Sequence, residues 1–279
     1  MSRSVLRLLL AVLLLPVAWP ALAAAPADFE EALSPGEAGR VAEVVDGDTL
    51  VLADGREIRL VGIQAPKLPL GRAGFEPWPL SGEAKALLED LTLGKTVDLG
   101  FGGRRGDRHG RVLAHLFVRE AGPEEGREAG GGPRWVQGAI LAAGLARVYS
   151  FDDNRSLIAE MLALEGEARA ARRGIWADPF YALRMAEEAG RWLGGFELVE
   201  GRVVAVGRAG RNTYLNFAED WRSDFTIVIG KRAAGLFAEE GIDLTAYQGK
   251  RLRVRGWLKS RNGPMIEASH PEQIELLPD

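Results

Sequence analysis

Apolar side chains recur at nearly every second position between residues 40 and 52: Val41, Val44, Val45, Leu50, Val51 and Leu52. The acidic triplet Asp46-Gly47-Asp48 interrupts them. That pattern predicts two strands joined by a tight turn. Asp54-Gly55 lies between apolar runs and predicts a two-residue hairpin, with residues 58–63 as the return strand. Residues 64–80 are rich in proline and glycine and predict a loop. In 83–93 the period changes: Ala84, Leu87, Leu88 and Leu91 share one face of a helix. Residues 96–101 and 111–118 predict two more strands around the polar turn 102–110. A Gly/Glu/Arg-rich surface insertion spans 119–134. Residues 135–146 predict a small-residue helix closed by Gly144. Residues 154–173 predict a longer one, with Leu157, Met161, Leu164 and Ala168 on one face and Asn154 as its cap. Gly174-Ile175-Trp176 follows, and its tryptophan is expected to pack back onto the core.

A connector over 179–196, helical in pattern and ending in Gly194-Gly195, leads to a second β-rich unit. Its strands are expected at 198–206, 213–217, 225–229, 251–258 and 265–277, with a short helix at 233–240. Five short strands and one inserted helix predict a small Greek-key barrel of the oligonucleotide/oligosaccharide-binding type. Arg251, Arg253, Arg255, Trp257, Lys259 and Arg261 share one parity, with Leu252, Val254 and Leu258 on the other. Cations interleaved with an aromatic suit a groove for single-stranded nucleic acid, because phosphates need charge and bases need a stacking surface. Arg253, Arg255 and Trp257 are its candidates, extended by Tyr214, Phe217 and Trp221. The competing reading is a solvated face balanced by acids, since residues 197–279 hold 12 basic and 12 acidic side chains.

Composition narrows the choices. Arg3 and Arg7, the apolar run 8–17 and Ala21-Leu22-Ala23 predict a signal peptide cleaved after Ala23, and hence a secreted or periplasmic protein. No later apolar stretch approaches the ~20 residues of a membrane span. There are no cysteines, which removes disulfides and thiolate metal sites. Three histidines make a histidine-built metal centre or catalytic triad a poor expectation. The formal net charge is −4, and it becomes −6 when Arg3 and Arg7 leave with the leader. Bulk charge therefore opposes nucleic-acid binding, and any such binding must come from local cationic clusters.

The stretch from Glu43 to Lys67 contains Asp46-Gly47-Asp48-Thr49 and Arg59-Leu60-Val61-Gly62-Ile63-Gln64-Ala65-Pro66. Asp107-Arg108-His109-Gly110-Arg111, Gly144-Leu145-Ala146 and Gly174-Ile175-Trp176 come later in the chain. In order and spacing these motifs resemble the staphylococcal nuclease (thermonuclease) family over residues 38–178. The resemblance implies an α+β fold that is mainly β: a five-stranded barrel with about three helices, followed here by the second, smaller barrel. It implies hydrolysis of DNA or RNA phosphodiesters with Ca2+ as cofactor. It makes Arg59 and Arg111 the phosphate-gripping arginines, Asp48 the principal calcium carboxylate, Asp46 an outer acid, and the Ala65 backbone carbonyl a further ligand. Arg108 and His109 would face the nucleotide, the alternative being a solvated turn; Tyr149 and Phe151 fall near the base-stacking positions, with a core role as the alternative for Phe151.

Two positions depart from that pattern. Gln64 stands where the family has a second calcium aspartate, and Lys67 where it has the catalytic glutamate. Calcium takes six to eight oxygens, several of them charged, and a general base must be able to accept a proton. A lysine beside two arginines repels a divalent cation and attracts phosphate. Three outcomes stay open: a phosphate-binding protein whose Ca2+ site is weakened or lost; a working nuclease with Glu76 as substitute carboxylate; or Lys67 turned outward beside a half-built site. The expected division is a leader at 1–23, a loose lead-in at 24–37, a nuclease-like unit at 38–178, the connector at 179–196 and a second barrel at 197–279. The expected partner is single-stranded DNA or RNA. A non-catalytic cell-envelope binding protein that uses two tandem barrels is the alternative class.

Overall fold

The computed structural model describes residues 25–26, 29–119, 133–220 and 224–278. The leader, most of the 119–134 insertion and Trp221 lie outside them.

The first half forms β1 (Gly39–Asp46), β2 (Thr49–Leu52), β3 (Glu57–Leu60), β4 (Gly62–Gln64), α1 (Ser81–Thr92), β5 (Thr96–Phe101), β6 (Val112–Val118), α2 (Val136–Ala142), β7 (Arg147–Tyr149) and α3 (Ile158–Ala170). β1, β2 and β3 form an antiparallel meander. β3 runs parallel to β6, β6 pairs antiparallel with β5, and β5 closes on β1. The result is the expected five-stranded barrel. The alternating side chains Val41, Val44, Leu50, Leu52, Ile58 and Leu60 fill it, and the α1 stripe Ala84, Leu87, Leu88 and Leu91 packs into the same core.

At Gly62 the chain leaves the barrel. The residue sits at φ +82°, and a Cβ there would lie 2.6 Å from Met161. The expected 58–63 strand is therefore split, and β4 pairs with β7 instead of continuing the meander. The helix expected over 135–146 ends at Ala142. Gly144, at φ +69°, turns the chain so that Arg147–Tyr149 can form β7. Asn154 does not cap α3. Its side chain donates to the Arg104 carbonyl (2.7 Å), and Leu157, at φ +59°, precedes the helix.

The second half comprises β8 (Phe196–Arg202), β9 (Ala205–Ala209), β10 (Asn212–Asn216), β11 (Thr226–Ile229), α4 (Lys231–Glu239), β12 (Arg251–Trp257), β13 (Lys259–Ser260), β14 (Pro264–Ala268) and β15 (Ile274–Leu276). β9–β10–β11 is an antiparallel meander, β11 runs parallel to β14, β14 pairs with β13, and β12 returns antiparallel to β8. With β8–β9 and β12–β13 each taken as one bent path, the circuit repeats that of the first barrel. It has its own core, which includes Val199, Leu215, Ile227, Phe237, Val254 and Ile266.

Polar side chains fasten the two halves together. Arg155 forks onto Glu272, Arg255 reaches Glu165, and His270 lies fully buried between Ser150 and Ser269 (2.7 and 2.9 Å). Burial pulls His270 down to about 4, and Arg155 and Arg255 push the same way against Glu272 and Asp152. The ordinary value is near 6.5. The stability linked to this residue is complete above pH 6.5 and is lost as pH falls to 4, roughly 3 kcal/mol over that window. Denaturant unfolding of wild type and His270→Gln from pH 7 to 4 should show a flatter pH profile for the variant. Parallel profiles would disprove the linkage.

Candidate phosphate groove and cation seat

The β1–β2 turn is folded on itself: the Asp46 carboxylate accepts the Asp48 amide at 3.0 Å. Glycine is required between them, because a Cβ on Gly47 would sit 2.7 Å from the side chains of both Ala65 and Ala84. The Asp48 carboxylate has no solvent exposure and is surrounded by donors. The Ala65 amide reaches Oδ2 at 2.7 Å, and the Thr49 hydroxyl reaches Oδ1 at 3.3 Å. Arg59 Nη2 stands 3.2 Å from Oδ2. Lys67 Nζ touches both oxygens, at 2.9 and 2.7 Å, and lies 3.7 Å from Asp46.

Burial alone would raise the Asp48 pKa. The charges of Arg59 and Lys67 and the hydrogen bonds from Lys67 and Ala65 outweigh it and hold the carboxyl at about 2. Asp46 moves the other way, raised by burial and by the neighbouring Asp48 charge despite the pull of Lys67. A single ammonium thus serves two acids, and it lies closer to Asp48 than to Asp46.

The residues present do not fit calcium. The space between the two Asp48 oxygens holds the Lys67 ammonium. Gln64 faces elsewhere: its Oε1 accepts from Arg147 Nε and Nη2 at 3.0 and 2.8 Å. Ala65 engages Asp48 through its N–H. Among the described residues no three acidic or histidine side chains converge as a metal cage.

Beside this seat opens a groove of about 420 Å3 lined by Arg59, Arg108, His109, Arg111, Tyr149 and Phe151, among others. Sequence reasoning nominated all six, and the fold gathers them. Arg59 is held rigidly, donating to the carbonyls of Leu60 (2.6 Å), Ile63 (2.7 Å) and Asp48 (3.3 Å). Arg111 is clamped by Asp107 through Nε (2.8 Å) and Nη2 (2.7 Å). Burial raises Asp107, but these bonds and two backbone amides pull its carboxyl below the usual range. Arg108 Nε lies 3.2 Å from His109 Nε2, both exposed. Glu76 is exposed on the 64–80 loop, does not line the groove, and makes no ion pair among the described residues.

The basic face expected on residues 251–261 has another occupant. Its parity is as anticipated, with Leu252, Val254 and Leu258 inward. Arg255, however, is 1% exposed and bonds both oxygens of the buried Glu165 (2.9 and 3.0 Å) as well as Glu275. Arg253 is paired with Glu200 (2.6 Å) and Glu275 (2.8 Å). Glu165 from α3, Glu200 from β8 and Glu275 from β15 take up both guanidiniums, so neither is available to a polyanion. Trp257 remains exposed, and its indole N–H donates to the Tyr149 hydroxyl at 3.0 Å.

Two buried residues escaped the sequence reading. Glu165 lies on the buried face of α3 with Met161 and Ala168, and a charge in an apolar stripe was the available cue. Arg147 is 5% exposed within the apolar β7 and stacks 4.8 Å from the Phe196 ring. Burial lowers it to about 10, against the pull of Glu197.

Residues 57–178 match the family described as staphylococcal nuclease homologue. An uncharacterized endonuclease of Escherichia coli is 30% identical over 143 residues, covering 50% of this chain and 77% of that protein. Protein ParB of Escherichia coli is 34% identical over 144 residues, 50% of this chain and 73% of its own length. A micrococcal nuclease of Shigella flexneri is 28% identical over 159 residues, 55% and 79% of the two lengths.

Proposed function

The chain belongs to the staphylococcal nuclease homologue family, and from that premise we propose that it is an exported phosphodiester-binding member in which a lysine ammonium has taken over the seat of the divalent cation. Calcium-dependent hydrolysis is impaired as a result. The observation that carries this reading is the pair of contacts from Lys67 Nζ to Asp48, 2.9 and 2.7 Å. An ammonium neutralises one charge and offers no open coordination site, so it cannot polarise a phosphoryl oxygen or lower the pKa of a bound water as a metal does. Lys67 is engaged as a donor, and of the carboxylates that line the groove Asp107 is bound to Arg111 while Asp153 stands 3.8 Å from Arg104.

Phosphate capture survives this exchange. Arg111 is oriented by Asp107 through Nε and Nη2, which leaves Nη1 to meet a phosphate, while Arg59 directs its Nη protons at three carbonyls and Asp48 and keeps Nε. Tyr149 and Phe151 add ring faces beside them, arranged edge to face at 4.8 Å. Single-stranded DNA or RNA fits this mixture of guanidinium and aromatic surface better than a duplex, whose bases are not free to stack. No helix among the described residues is long and apolar enough to cross a membrane.

One preparation tests the proposal. Protein expressed with its leader should be recovered outside the cytoplasm with an amino terminus at residue 24. It should bind single-stranded oligonucleotides with an affinity that falls as salt rises. Arg111→Ala should weaken binding and reduce the salt slope by about one. No cleavage should accompany added calcium. Calcium-dependent cleavage that disappears in Arg111→Ala would overturn the reading of lost hydrolysis, and absence of binding would overturn phosphate capture.

A further inference from the structure

Charge is sorted unevenly over the second barrel. On the side that meets the first barrel, cations and acids neutralise each other: Arg253 and Arg255 against Glu165, Glu200 and Glu275. On the opposite sheet, β9–β10–β11 with β14, Glu267 stands across Val228 from Tyr214 and is taken up by Lys259, so the balance there is local to that pair. A hollow of about 350 Å3 lies on it, with Tyr214 and Asn216 from β10 at its floor and Arg208, Arg261 and Asn262 around it. No acidic side chain lines it. An adjoining hollow of about 640 Å3 shares Arg208 and adds Arg211 and Lys231. The acid that lines this second hollow, Asp243, accepts the amide and hydroxyl of Thr245 (2.9 and 2.7 Å), and these bonds together with the Arg208 charge hold its carboxyl low. Among the described residues, Arg208, Arg211, Lys231 and Arg261 make no ion pair.

The floor explains what such a cationic rim would hold. Ala205, Gly207 and Ala209 alternate on the outer face of β9, and Gly207 pairs with Tyr214. A Cβ on Gly207 would meet nothing within 4 Å, so the surface beside the tyrosine ring is open. Tyr214 pairs with Val228 and Asn216 with Thr226, which gives an apolar strip next to an amide. A flat ring face and arginines on either side match a chain of planar rings linked by anions, and Asn216, whose Oδ1 accepts from Thr226, keeps its amide protons.

We propose that the outer face of β9–β11 is a second binding site for single-stranded nucleic acid. One base stacks on Tyr214, while Arg208 and Arg261 hold the flanking phosphates. This extends the phosphodiester-binding reading given above, and rests on it for the class of ligand. It moves the second barrel's contact surface from the 251–257 strand to the opposite sheet.

The test uses the full chain and a bromodeoxyuridine-substituted single-stranded oligonucleotide of about 20 nucleotides. Ultraviolet cross-linking and peptide mapping should identify the segment containing Tyr214, in wild type and also in Arg111→Ala. In anisotropy titrations Tyr214→Ala should weaken binding of the long oligonucleotide roughly tenfold, as loss of one stacked base does. Arg261→Glu should do the same and reduce the salt dependence. Neither should alter binding of a tetranucleotide, which the first groove alone can hold. Cross-links confined to the first groove, with full affinity in both second-barrel variants, would overturn this site and leave the first-groove reading intact. Cross-links at Tyr214 that survive while Arg111→Ala has no effect on affinity would support this site and count against the first groove. Saturable binding of a neutral oligosaccharide such as maltohexaose, abolished by Tyr214→Ala with no oligonucleotide bound, would overturn it in favour of a sugar site.

Discussion

Lys67→Ala should destabilise the protein by about 2 kcal/mol at pH 7, and Lys67→Glu by more, with added calcium restoring part of the loss only in the variants. Asp48 is fully buried, and removal of one partner of a buried ion pair typically costs ~3–5 kcal/mol. The figure here is smaller because the Lys67 side chain keeps 22% exposure and because Arg59 stays beside the carboxylate. The pH dependence identifies the cause. Asp48 is depressed to about 2 in the folded state, so the stability it contributes is present above its ordinary value of 3.8 and is lost as pH falls through 2. In Lys67→Ala that depression shrinks. The gap between wild type and variant should therefore be widest above pH 4 and close towards pH 2. In Lys67→Glu three acids face one arginine, and a divalent ion becomes the best available counter-charge. Calcium at ten times its Kd would return about 1.4 kcal/mol. Guanidinium unfolding at several calcium concentrations measures all of this. Equal calcium stabilisation of the wild type, or a variant as stable as wild type at pH 7, would show that the ammonium does not occupy the seat.

Much of the architecture was legible in the chain. Asp46-Gly47-Asp48 and Asp54-Gly55 punctuate alternating strands, and α1 shows its buried stripe at Ala84, Leu87, Leu88 and Leu91; these signals act over a few residues. The groove was legible for a related reason, since its arginines and acids lie in two short motifs. What escaped depends on what stands across a gap. The family resemblance put Lys67 near Asp48 but left open whether its flexible stem would turn in or out. Parity put Arg253 and Arg255 on the outward face of their strand, yet could not say that α3 and β15 would cover it with Glu165 and Glu275. Gln64 likewise reads as an empty metal position until Arg147, 83 residues later, is found holding its amide oxygen.

The junction of the two barrels carries the other large effect: Arg255→Ala should cost ~3–5 kcal/mol, whereas Arg255→Met combined with Glu165→Met should cost far less. The guanidinium and the carboxylate are both essentially without exposure, so the single change strands a buried anion. Glu165 keeps Arg169 at 2.7 Å and the Val148 amide at 2.6 Å, which prevents a still greater loss. Glu275 loses a partner as well. Burial raises its carboxyl, and Arg255 and Arg253 together hold it low. Removing both members of the buried pair and refilling the volume with apolar side chains avoids the unpaired charge, so the two changes should be strongly non-additive in a double-mutant cycle. Additive costs would refute an ion pair as the fastening. The effect should also reach the groove, because Glu165 fixes the amide of Val148 and the next residue, Tyr149, contributes its ring to the groove wall and its hydroxyl to Trp257. Oligonucleotide affinity measured under conditions where Arg255→Ala is still folded should therefore fall, although Arg255 touches no ligand. Unchanged affinity in that folded variant would mean that the groove is built by the first barrel alone, with the second barrel merely attached to it.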